Sequence, residues 1–293
     1  MKQNSTNHIK GEYVLATGSA AANRLRILHS LYGPGARRVL LQAGTQPGMR
    51  VADLGCGVGM VTTLMAELVG PTGQVIGVDF SGAQITQARA LLPPGFSNVT
   101  FIEASATDTG LPHESFDLVY SRFLLIHLNE PEKALREMRN LLKPDGVLVC
   151  EDGDLTAAGS EPASALNIFA DLFGRLGPAW GVDYTLGRRL FQMVLAAGFP
   201  NPEITYNQPV VARGEKKRLL ELSLAEAGSS FVNAGLITSE ELDRALVEMR
   251  RVAEDETVIA MMPRMSQVWA RKQAPDASYD STSRRRLSSA RLQ

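Results

Sequence analysis

Cysteine is scarce. Cys56 and Cys150 are the two in 293 residues, too few for a disulfide framework or for a zinc site by themselves. The four histidines, His8, His29, His113 and His127, show no metal-ligand spacing, so no metal is expected. Long apolar runs are missing as well. The longest stretch free of Asp, Glu, Lys and Arg is thirteen residues, short of the ~20 that span a bilayer. An excess of one charge is also missing. With 30 basic and 31 acidic side chains the net charge is −1, which argues against a dedicated nucleic-acid binder. The opening MKQNSTNHIKGEY lacks the apolar core of a signal peptide, so a cytoplasmic location is expected. What remains, at 44% hydrophobic and 21% charged, is an ordinary globular composition with room for a substantial core.

Residues 50–150 alternate short apolar runs with helical patterns. The runs lie at 50–54, 74–79, 99–103, 116–120 and 146–151, and helical spacing fills 58–69, 82–92 and 129–142. This βαβ rhythm predicts a parallel sheet with right-handed crossovers and helices on both faces. Ser81 is a candidate N-cap, Asn129 with Glu132 resembles a capping box, and Lys143-Pro144-Asp145-Gly146 reads as a turn before the fifth strand. Residues 13–43 read as one or two amphipathic helices. Beyond the fifth strand the pattern predicts helices at 163–176 and 185–197 and a strand at 203–211. It continues with helices at 216–234 and 239–253, the latter opened by Thr238 and Glu241, and a last strand within 258–270. The expected organisation is a helical cap at 1–43, a domain at 44–273 with a helical insertion at about 214–255, and a disordered tail at 274–293.

The sharpest feature is VADLGCGVG, residues 51–59: an apolar strand that runs into a glycine loop opening a helix. Glycines let a ligand approach the main chain, and the helix beyond offers free N–H groups. Asp79, twenty residues after Gly59, ends the second strand, where a carboxylate can accept both hydroxyls of a ribose. The pair predicts a nucleoside-containing ligand. The spacing is G-x-G-x-G, with Met60 where a dinucleotide fingerprint has its third glycine. Asp53 would also repel a pyrophosphate and favour a cationic ligand. S-adenosylmethionine, with a sulfonium and an ammonium and no phosphate, fits that charge better than a nicotinamide dinucleotide.

The segments VADLGCGVG, QVIGVDFSGAQITQAR, FDLVYSRFLLIHLNEPEKALREMRNLLKPDGVLV and GRRLFQMVLAAGF together resemble the class I S-adenosylmethionine-dependent methyltransferases, of the ubiquinone/menaquinone-biosynthesis type and its small-molecule relatives. The resemblance covers 35–155 and extends more weakly over 13–273. It implies an α/β, Rossmann-like, doubly wound and mostly parallel seven-stranded sheet, with a helical N-terminal cap and a helical lid inserted before the last strand. By position, Asp53, Gly55, Gly57 and Gly59 would hold the methionine portion of S-adenosylmethionine, Asp79 the ribose and Phe80 the adenine. Ser105-Ala106 stands where the family usually has Asp-Ala, Gln84 where methionine is common, and Ser121 falls beside the cofactor.

Methyl transfer needs alignment above all, and a base where the acceptor arrives protonated. His127, just past the fourth strand, is the candidate base, since an ordinary pKa near 6.5 suits proton acceptance. The alternative is a packed histidine at a helix start. Glu151 and Asp154, with Asp152, end the fifth strand and would recognise a cationic acceptor, act as a base, or belong to a solvated loop. Tyr13 and Arg24 fall where relatives cap the cofactor, and Trp180 and Tyr184, with Phe191, line a pocket or simply pack. Strands one and five are expected two apart, on the order of 10 Å, so Cys56 and Cys150 should stay unpaired. The sequence points to methylation of a small molecule. Open beside it stand a protein of this fold with other chemistry, a nicotinamide-dependent oxidoreductase, and a cofactor-sensing regulator that uses the arginines at 284–286.

Overall fold

The computed structural model describes residues 19–273. In chain order it contains α1 (Ser19–Gln42), β1 (Arg50–Leu54), α2 (Met60–Val69), β2 (Gln74–Asp79), α3 (Gly82–Leu91), β3 (Val99–Glu103), β4 (Phe116–Arg122), α4 (Pro131–Leu141), β5 (Leu142–Asp154), β6 (Gly159–Glu161), α5 (Ile168–Trp180), α6 (Leu190–Ala196), β7 (Glu203–Asn207), β8 (Val210–Val211), α7 (Leu219–Glu226), α8 (Gly228–Asn233), α9 (Ser239–Glu254), β9 (Ile259–Met261) and β10 (Arg264–Arg271). Seven strands form one sheet in the order β3-β2-β1-β4-β5-β10-β7. Strands β1 to β5 run parallel, and β10 is antiparallel to both β5 and β7. This is the Rossmann-like, doubly wound sheet that the sequence implies. Its order reverses between β1 and β4, where such sheets bind ligands beyond the strand ends.

Both faces of the sheet are covered, which is why its inner strands read as unbroken apolar runs. On one face Val39 and Leu40 of α1 and Val61 and Met65 of α2 pack on Val51, Leu118 and Val149. On the other, Leu135 and Met138 of α4 and Met193 and Val194 of α6 pack on Ala52, Val119, Leu148 and Val268. Helix α4 shows the cause at residue level. Ala134, Leu135, Met138 and Leu141 recur at three- and four-residue spacing and are fully buried, each larger one contributing about 2 kcal/mol. Helices α7 to α9 join the same core through Leu220, Leu224, Phe231, Leu242 and Met249, together with Ile27 and Tyr32 of α1.

Local signals hold in some places and fail in others. Ser81 caps α3 by accepting from the Gln84 N–H, and Thr238 with Glu241 forms a full capping box on α9. The expected box at Asn129 is corrected. Pro131 occupies the first turn of α4 with Glu130 at the N-cap and no side-chain cap bond, because proline's fixed φ already suits that position. The expected turn at residues 143–146 is absorbed into β5. Leu142 pairs with Phe116, a register shift follows, and pairing resumes at Val147 with Leu118. Asp145, at φ 62°, absorbs the extra length. Residues 203–211 hold two strands instead of one, since β8 leaves the main sheet and joins β6 and β9 in a small antiparallel sheet. The sequence reads of 13–43 resolve into one helix over its described part, with Pro34 inside it. Tyr13, the tail at 274–293 and its arginines lie outside the described residues.

Candidate functional site

The glycine loop is stitched to the neighbouring strand before any ligand is considered. The Gly55 and Cys56 N–H groups both donate to the Val78 carbonyl, at 2.8 and 3.0 Å. Gly57 donates its N–H to Asp79 Oδ2 at 2.8 Å, and Ser81 donates to Asp79 Oδ1 at 2.9 Å. One carboxylate therefore ties the β1 loop to the start of α3 while remaining partly open at the strand end. Gly57 (φ 54°) and Gly59 (φ 79°) take left-handed conformations that suit glycine. A methyl on Gly57 would meet nothing within 4 Å, so the space above it is open; one on Gly59 would lie 2.7 Å from Phe101 Cζ. Phe80 stands at the lip with 74% of its surface exposed, an apolar face without cover. An open cradle, an exposed ring and an anchored carboxylate fit the nucleoside of S-adenosylmethionine.

Other expected cofactor residues are placed nearby with different orientations. Asp53 is turned beneath the loop and accepts from Thr62 Oγ1 at 2.6 Å. Burial pushes its pKa up to about 7, against the pull of Thr62 and Arg122. Its expected charge toward the ligand is therefore partial and indirect. Gln84 is buried with Oε1 lacking a partner. Ser105 shares a hydrogen bond with Thr107 at 2.8 Å, within its own loop, and Ala106 packs on the core. The Ser121 hydroxyl points to Cys150 Sγ at 3.6 Å, so it is the main chain of Ser121 that reaches the strand end. Both cysteines are free, as the strand order requires.

His127 closes a 3-10 turn, Leu125–His127, that follows β4. Asp152 holds this turn by accepting from the Leu125 N–H at 2.8 Å. The imidazole lies edge-on to Tyr184 at 5.9 Å, and Tyr184 continues to Phe173 and on to Phe231 of α8. Burial, and then the Arg24 charge, lowers the His127 pKa to about 4. The ordinary pKa on which the base expectation rested is thus corrected; the ring stays neutral and suits orientation better than proton capture. Arg24 itself is 4% exposed and pairs with Glu226 of α7. Trp180 is half-buried at the end of α5, packed against the core.

Glu151 and Asp154 are corrected more firmly. Strand β5 continues through both, so neither sits in a solvated loop. Glu151 is fully buried, accepting from Tyr120 Oη at 2.7 Å and Gln267 Nε2 at 3.0 Å. Asp154, 1% exposed, is gripped by Arg188 at 2.7 Å and Arg264 at 3.2 Å. Both carboxylates are committed inside the protein, and the expected acceptor roles fit neither. Sequence reasoning missed two groups that the fold brings in: Glu226, far along the chain, and Arg122, whose adjacency to the strand end was visible in the motif. Among the described residues no cluster could hold a metal ion, and no helix is long and apolar enough to cross a membrane.

Comparison with known proteins adds the following. Residues 45–175 match the family model of a methyltransferase domain. The ubiquinone/menaquinone biosynthesis C-methyltransferase UbiE of Ectopseudomonas mendocina is 33% identical over 147 residues, 48% of this chain and 57% of that protein. The chain thus spans less than two thirds of the length of the curated relatives it matches first. Among solved structures, the Haemonchus contortus phosphoethanolamine N-methyltransferase 2, in complex with phosphomonomethylethanolamine and S-adenosylhomocysteine, superposes with a TM-score of 0.56 at 17% identity, covering 85% of this chain and 57% of that one. The [4+2]-cyclase SpnF superposes at 0.51 with 20% identity, covering 90% and 86%. At such identities both speak for the fold alone.

Proposed function

We propose that this protein, whose residues 45–175 match the family model of a methyltransferase domain and which is 33% identical to a C-methyltransferase over 147 residues, transfers the methyl group of S-adenosylmethionine to a small-molecule acceptor by direct displacement. The observation that carries this reading is the Asp79 carboxylate, bonded to Gly57 and Ser81 beside open space over the glycine loop. In the proposal Asp79 receives the ribose hydroxyls and Phe80 lies against the adenine. Gln84 and the main chain at Ser105 and Ala106 border the base, and Gly55, Gly57, Gly59 and the main chain of Ser121 face the methionine portion. Asp53 supports the loop from below through Thr62.

S-adenosylmethionine supplies an electrophilic methyl group whose sulfur leaves readily. This chain's residues then have to align the acceptor and exclude water. We place the acceptor against His127 and Tyr184, with Arg24 at its polar end and α1 and α7 to α9 as the enclosing helices. A neutral His127 donates or accepts one hydrogen bond there and fixes the acceptor's orientation. Tyr13, Trp180 and the division into cap, domain and tail belong to the same proposal as expectations from the sequence. So does a cytoplasmic location.

The test is incubation with S-adenosylmethionine labelled in the methyl group and fractionated metabolite extract. Label entering one fraction, with equimolar S-adenosylhomocysteine, supports the proposal. Consumption of an extract component without release of S-adenosylhomocysteine would instead show that the fold carries other chemistry.

A further inference from the structure

Arg122 is the last residue of β4. Leu54 pairs with Ser121 in the β1–β4 register, so Arg122 stands level with Gly55, at the strand end where the glycine loop begins. Asp53 pairs with Tyr120, and side chains two apart share a face, which puts Arg122 on the same face as Asp53. Its Nη1 is buried and has no hydrogen-bond partner. No carboxylate among the described residues comes within 4.0 Å to form an ion pair with it. The two acids that feel its charge are occupied: Asp53 by Thr62, Glu151 by Tyr120 and Gln267. Burial also raises the pKa of both, which reduces the negative charge they offer the guanidinium.

A guanidinium presents parallel N–H groups that match a carboxylate in a two-point contact. A buried donor left without an acceptor at a ligand-binding edge is therefore an unfilled half of such a contact. We infer that Arg122 grips the carboxylate at the amino-acid end of the cofactor, an inference that rests on the S-adenosylmethionine reading above. The strand order supports the direction. With the ribose at Asp79 on β2, the amino-acid end runs across β1 toward β4, two strand spacings or on the order of 10 Å away. Arg122 waits at that end, and the contact also fixes the sulfur between the ribose and the acceptor.

The experiment is calorimetric titration of the wild type, Arg122→Met and Arg122→Lys with two ligands. S-adenosylhomocysteine carries the amino-acid end; 5′-methylthioadenosine keeps the adenosine and thioether and lacks the carboxylate. The expected result is that Arg122→Met weakens S-adenosylhomocysteine by about 10–100-fold, the range for a lost charge-assisted contact. It leaves 5′-methylthioadenosine within about twofold, and Arg122→Lys recovers part of the loss. Equal weakening of both ligands would make Arg122 a structural residue and overturn the inference, as would no change in either. A wild type that binds neither ligand would remove the cofactor reading and the inference together.

Discussion

Arg24 of α1 and Glu226 of α7 form a buried ion pair across 202 residues of sequence, their side chains 5% and 8% exposed. The pair joins the N-terminal helix to the inserted helices, beside His127. Glu226 Oε1 is buried with no partner of its own, so Arg24 carries most of the compensation for that carboxylate. Removing one member of a buried pair strands the other charge, at a cost of about 3–5 kcal/mol. Arg24→Met is therefore expected to lower unfolding free energy by about 3 kcal/mol in urea titration. The double variant Arg24→Met with Glu226→Leu should regain more than half of it. A simple sum of the two single losses would show that the residues do not act as a pair.

Gly57 and Gly59 share a left-handed conformation and differ in their surroundings, so alanine separates their roles. Gly57→Ala meets open space, and its cost is the backbone alone, about 1–2 kcal/mol. Gly59→Ala also drives a methyl into Phe101, adding about 1–3 kcal/mol of overpacking. Urea titration should thus show the second variant as the less stable. Calorimetry should show the first losing affinity for S-adenosylhomocysteine out of proportion to its stability. The reverse ranking would contradict the placement of the cofactor over Gly57.

The His127 pKa of about 4, against 6.5 for the ordinary group, sets a sign for stability against pH. Between pH 4 and 6.5 the unfolded chain binds the proton more readily, so His127 costs stability as pH falls through that window. Asp53 and Asp152, both raised to about 7, act oppositely and lose stability as pH rises from about 4 toward 7. The wild-type profile is therefore flattened, and a single variant exposes the histidine. His127→Gln should gain about 2 kcal/mol relative to the wild type between pH 7.5 and pH 5, followed by thermal unfolding at both. No relative gain would show that the ring titrates normally.

Several elements were legible from local pattern because their cause is local. Strands β1 to β3 keep their expected bounds, since apolar residues flanked by glycine, proline and charge leave little choice. Ser81 and Thr238 cap their helices because the partner lies three residues away. What the pattern hid depends on contacts between distant residues. Glu151 and Asp154 look like a free acidic cluster until Tyr120, Gln267, Arg188 and Arg264 arrive from other strands and turns. Glu226 lies in a helix with no local feature to mark it. The small sheet of β6, β8 and β9 has strands of two or three residues, too short to show a period.

Asp79 carries the central claim, because its carboxylate pins the glycine loop through Gly57 and the start of α3 through Ser81 at the end of β2. The most direct measurement is calorimetric titration of the wild type and Asp79→Ala with S-adenosylmethionine and with NAD. The account predicts one site for S-adenosylmethionine in the wild type, no measurable binding of NAD, and about 10–100-fold weaker binding in a folded Asp79→Ala, the loss of a carboxylate's paired hydrogen bonds. Equal affinity in the two proteins, or a wild type that prefers NAD, would contradict it.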